Sequence, residues 1–243
     1  MAGDLTAERK AALSRGEIAA SNLGEILAID FTDLMETLAP GAGLPAFQKE
    51  GISRRMALCG EALLAHFGAD VLATWTDHAS DTVRGLALFG LARHNDDSAV
   101  ADVLTMVRPF AADGHFGVRE WAWLAVRPRL VRDLDLSIAA LAGWTGDADE
   151  NIRRFAVEAL RPRGVWCKHI PALREDPARG LPLLEPMRRE GEKYAQDSVA
   201  NWLNDAAKDR PDWVRSLCQR WLRETDDCPP TRRITTRALR SLT

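Results

Sequence analysis

The stretch HFGVREWAWLAVRPR, from His115 to Arg129, sets one carboxylate, Glu120, among Phe116, Trp121 and Trp123 and beside Arg119, Arg127 and Arg129. A helix that only filled a core would segregate these types. A positioned carboxylate stabilises developing positive charge and orients a water, and an arginine forks onto phosphate or carboxylate oxygens. Asp113 and Asp205 are the next candidates for the acidic role. Thiol or metal chemistry has less support. Cys59, Cys167, Cys218 and Cys228 are far apart, no CxxC occurs, and only Cys167 and His169 place a thiol near an imidazole. Neither a disulfide nor a metal site is expected.

The elements that must hold these residues are helical. Strand-like alternation is absent, and the segments between Gly, Pro and Asp punctuation show apolar spacing of i, i+3/i+4. The spacing predicts helices over 5–14, 16–28, 30–38, 45–48, 52–67, 69–76, 81–93, 97–111, 116–127, 134–143, 150–160, 180–188, 193–207, 211–224 and 231–241. Four segments share a register: DTVRGLALFGLA, FGVREWAWLAV, ENIRRFAVEAL and DSVANWLNDAA, with RRITTRALRSL as a weaker fifth. Their anchors Val83, Val118, Ile152, Val199 and Ile234 are 35, 34, 47 and 35 residues apart. That period indicates a HEAT-like α-solenoid in which stacked helix pairs bury one another's apolar faces. The reading is a single all-α domain over 1–243, with N-terminal helices in 1–50 and repeats in 51–243, curved as solenoids are. The longer step holds RPRGVWCKHIPALREDPARG, an extended connection. RPRL (127–130) and RPRG (161–164) both follow a repeat helix and read as repeat-closing turns or paired phosphate contacts.

At about 100° per residue, the positions two before and two after each anchor lie away from its apolar side. These are Phe116 and Glu120, Glu150 and Arg154, and Asp197 and Asn201. Glu120, Arg154 and Asn201 are therefore expected in one row across three helices. Arg84, Arg119 and Arg153 each follow an anchor directly, where an arginine either braces the repeats or contacts a polyanion. Lys208 closes the fourth repeat helix, where the helix dipole favours a cation and a phosphate could bind. The 32 basic and 35 acidic residues give a net charge of −3, so polyanion binding would need an uneven charge distribution. The N-terminal segment has no signal-peptide pattern and no window is apolar enough to span a bilayer, so a cytoplasmic location without membrane contact is expected.

From about residue 50 onward the chain resembles the HEAT-like bacterial alkylpurine DNA glycosylases of the AlkC/AlkD superfamily. The resemblance rests on SDTVRGLALFGLA, HFGVREWAW, ENIRRFAVEALRPRGVW and above all SVANWLNDAAKDRPDW (198–213), which is similar to the AlkC branch's C-terminal signature. It implies a protein that cradles alkylated duplex DNA, nucleoid-associated when bound, and excises N3- or N7-alkylated purines without a deep base pocket. It also implies a catalytic carboxylate at Glu120, with no metal or cofactor. Phe116 and Arg154 match DNA-facing positions, Asn201 falls where the AlkD branch has a tryptophan, so that an aromatic wall is not expected there, and Trp202 beside it, with Arg84, Arg119, Arg153 and Lys208, is a further candidate contact. A monomer is expected. The alternatives are a non-catalytic HEAT protein that binds damaged DNA, or a protein–protein scaffold, because fold alone does not give function.

Overall fold

The computed structural model describes residues 5–43 and 46–242, and every regular element among them is helical. The chain forms two compact units, residues 1–126 and 127–243. The first holds α1 (Ala7–Ser14), α2 (Leu23–Ala28), α3 (Phe31–Leu38), α4 (Ile52–Phe67), α5 (Ala69–Ala73), α6 (Asp81–His94) and α7 (Val100–Ala111). Helix α8 (Phe116–Arg132) is the last of the first unit and continues into the second. The second unit adds α9 (Leu134–Ala142), α10 (Glu150–Glu158), α11 (Pro171–Glu175), α12 (Leu181–Leu184), α13 (Lys193–Ala207), α14 (Pro211–Glu224) and α15 (Pro229–Ala238).

The anchors carry the fold as their spacing requires. Val83, Val118, Ile152, Val199 and Ile234 are at most 1% exposed. In the first unit, α4 and α6 cross where Gly60 meets Gly90, and a Cβ on Gly60 would lie 2.8 Å from the Gly90 nitrogen. Two glycines thus let the backbones touch, and any larger residue would push the helices apart. In the second unit, α13 packs against α10, α14 and α15, and Phe155, Trp202, Leu203 and Trp221 are buried among these helices.

Three expectations about elements are corrected. Within the predicted helix 16–28, residues 17–22 are not helical; the Ala20 amide donates to Asp81 (2.9 Å) and its carbonyl accepts from His115 Nε2 (2.7 Å). Those tertiary hydrogen bonds replace the helical ones, and Asn22 then caps α2. RPRL is not a turn: α8 runs on through Pro128 to Arg132. Helix 45–48 is not formed over 46–48, and residue 45 lies outside the described residues.

Candidate functional site

A shared hydrogen-bonding pattern precedes three of the repeat helices. Five residues before each anchor stand His78, Asp113 and Asp147, whose side chains accept the amides of Ser80 (3.1 Å), His115 (2.7 Å) and Asp149 (2.9 Å). Those three residues cap the helix in turn, accepting from Val83, Gly117 and Asn151 amides. The arginine after each anchor reaches back to the carbonyl six residues earlier: Arg84 to His78 (2.6 Å), Arg119 to Asp113 (2.6 Å) and Arg153 to Asp147 (2.8 Å). Arg84 and Arg153 also grip a carboxylate ahead of the next repeat helix, Asp113 at 3.3 Å and Glu190 at 2.7 Å. The Glu190 carboxyl is pushed up by burial but held below its ordinary range by Arg153 and the Glu192 amide. The brace uses the guanidinium's several donors to satisfy loop carbonyls that would otherwise be left without partners. Arg84, Arg119 and Arg153 are therefore braces of the fold.

Glu120 sits on α8, half-buried, and accepts a 2.9 Å hydrogen bond from the indole nitrogen of Trp123, one turn on. Trp123 and Trp121 are both buried, at 2% and 1% exposure. Phe116 opens α8 and packs its ring against His115, centroids 4.8 Å apart. The mixture of types in α8 thus resolves: the indoles enter the core, and one of them orients the carboxylate at its edge. The other candidate acids are committed elsewhere. Asp113 takes Arg84 and the His115 amide, and Asp205 takes Arg161 (2.8 Å) and Lys208 (3.6 Å).

In the second unit the expected row becomes a buried polar face, because positions +2 and +6 from each anchor lie on one side of a helix. On α10 these are Arg154 and Glu158; on α13, Asn201 and Asp205. Arg154 is only 7% exposed, its guanidinium 4.2 Å from the Tyr194 ring and 3.9 Å from Glu158. Arg161 joins the two rows, donating to Glu158 (2.7 Å) and Asp205 (2.9 Å). Burial pushes the Glu158 carboxyl up, but the charges of Arg154 and Arg161 and the Ser198 hydroxyl outweigh it and keep the group ionised. Asn201 is half-buried and accepts from Arg240 at 2.8 Å. Sequence reasoning missed Glu158 and Arg161; carrying the register from +2 on to +6 would have found Glu158.

Trp202 is corrected from a DNA contact to a core residue. It is fully buried, its indole donates to the Leu160 carbonyl at 3.0 Å, and a Cβ on Gly180 would lie 2.3 Å from its ring. Lys208 remains exposed at the end of α13.

No known family model matches the chain. It is 43% identical over 97 residues to the Bacillus subtilis protein YhaZ, spanning 40% of this chain and 27% of that one. Its fold matches the Pseudomonas fluorescens alkylpurine DNA glycosylase AlkC, solved bound to DNA containing an abasic site analog, with a TM-score of 0.62 and 28% identity. That match covers 79% of this chain and 53% of AlkC, so the chain spans about half of AlkC's length. AlkD2 from Streptococcus mutans matches with a TM-score of 0.60 and 18% identity, over 77% of this chain and 93% of AlkD2. In fold the chain is similar to both AlkC and AlkD2, with the same HEAT-like helical solenoid.

Proposed function

We propose that the protein is a DNA glycosylase that excises cationic N3- and N7-alkylpurines from duplex DNA. The observation that carries this reading is its 28% identity and common fold with an alkylpurine glycosylase solved on abasic-site DNA. The half-buried Glu120, oriented by Trp123, fits the chemistry. An alkylated purine already carries positive charge, so it leaves as a neutral base while its electron-deficient sugar gains oxocarbenium character. The carboxylate of Glu120 stabilises that charge and directs a water to the anomeric carbon, leaving an abasic site. No deep pocket around the base is required, unlike base-flipping glycosylases.

Glu120→Gln tests the assignment, since it keeps the size and the Trp123 hydrogen bond and removes the charge. Single-turnover excision from methylated duplex is expected to fall by about tenfold or more, about 1.4 kcal/mol of transition-state stabilisation. Unchanged excision by a folded variant would take the role away from Glu120.

A further inference from the structure

Three residues before the anchors Val83, Val118 and Ile152 stand Ser80, His115 and Asp149, and each caps its own repeat helix. Serine and aspartate are ordinary caps, and histidine is not. An imidazole differs in carrying a second nitrogen on the far side of its ring. The Gly117 amide can only donate, so His115 Nδ1 accepts it at 3.1 Å and the ring hydrogen sits on Nε2, which donates to the Ala20 carbonyl at 2.7 Å. His115 thus joins the amide end of α8 to the non-helical segment 17–22, 95 residues away in sequence.

The other half of this link comes from α6. Ala20 is 3% exposed, and its amide donates to Asp81 Oδ1 at 2.9 Å, so α6 holds the residue by its amide and α8 by its carbonyl. Asp81 is wholly buried, and its Oδ2, 3.7 Å from His115 Nδ1, has no hydrogen-bond partner among the described residues. A buried oxygen left without a bond costs stability, so stability alone does not explain the arrangement. The packing leaves no slack: a Cβ on Gly117 would lie 2.7 Å from that oxygen and 3.1 Å from both His115 Nδ1 and Ile26 Cδ1.

Phe116 opens α8 with its ring against the same imidazole, and Glu120 follows one turn later on the same side of the helix. Both nitrogens of His115 are engaged inside the fold, so the ring acts on its own helix and not on a substrate. From these features we infer that His115 is a positioning residue for the proposed excision: seated on Ala20 and Asp81, it fixes the first two turns of α8 and with them the Glu120 carboxylate. The inference rests on the reading of Glu120 as the carboxylate that acts, and it gives the segment 17–22, which lies outside the repeats, a part in the reaction.

The experiment uses the full chain in single-turnover excision from a methylated duplex, with affinity for a duplex carrying an abasic-site analogue and melting temperature measured alongside. His115→Asn keeps an oxygen to cap α8 but does not reach Ala20. Its excision rate is expected to fall by about tenfold, with affinity within about twofold of the wild type and little change in melting temperature. His115→Gln extends an amide nitrogen towards the place of Nε2 and is expected to restore most of the lost rate. The double variant His115→Asn with Glu120→Gln shows through which residue the effect runs, and it is expected to be no slower than Glu120→Gln alone. A wild-type rate in His115→Asn, or losses that multiply in the double variant, would overturn the positioning role. So would a joint fall in rate, affinity and melting temperature that His115→Gln does not repair, which would leave His115 to packing. A wild type that releases no base, or an unchanged rate in Glu120→Gln alone, would instead remove the underlying reading and the positioning role with it.

Discussion

Asp209 shows how single residues in this protein divide between structure and chemistry. Its carboxyl is held well below the usual carboxylate range by hydrogen bonds from Arg174 and Arg163, against a smaller opposing effect of burial. Because the folded state prefers the ionised form, the stabilisation is full above the unfolded value of about 4 and is lost as pH falls from there through the depressed folded value. Asp209→Asn is expected to cost about 1–2 kcal/mol at pH 7, and the difference from the wild type should shrink in acid below about pH 4. Paired urea denaturation curves at several pH values check this; a gap that persists in acid would contradict the assignment. Arg154 needs similar care. Buried against Tyr194 and beside Glu158, it is part of the interior polar face, so a loss of DNA binding in Arg154→Glu would report disrupted folding before phosphate contact.

At the scale of elements, the pre-helix loops repeat one set of hydrogen bonds, and this gives the arginines after the anchors a structural meaning. Arg153→Met removes the donors to Asp147, Ala148 and Glu190 and leaves a buried carboxylate unpaired. It is expected to lower stability by about 2–4 kcal/mol while the salt dependence of DNA binding stays the same. A stable variant with a shallower salt slope would return Arg153 to the DNA surface. The helices and anchors were legible because a 3.6-residue period is encoded locally and the anchors recur at 34 or 35 residues with one longer step. The tertiary overrides were not. RPRL and RPRG begin alike, yet the first lies inside α8 and the second opens a loop. Arg127 of the first segment donates to the carbonyls of Ala159, Arg161 and Lys168 around the second, a relation 32 to 41 residues apart in sequence. Trp202 misled because adjacency to Asn201 does not fix a side-chain direction; one residue along a helix is a rotation of about 100°.

At the scale of the whole molecule, a net charge of −3 is no obstacle to binding DNA, since affinity depends on local cations that displace counterions. Many of the arginines are spent on internal carboxylates, including Arg84, Arg153, Arg161, Arg163 and Arg174. Under the proposed function, phosphate contacts would come from other cations, and Lys168 and Lys208 are exposed in the second unit. The proposed activity of this chain is base excision. Its most direct test is to incubate the purified chain with duplex DNA methylated at purines and to quantify the free bases by chromatography. Release of N3-methyladenine or N7-methylguanine above the spontaneous rate, with abasic sites left in equal number, is the predicted result. Binding of the methylated duplex with no release above the spontaneous rate would contradict it.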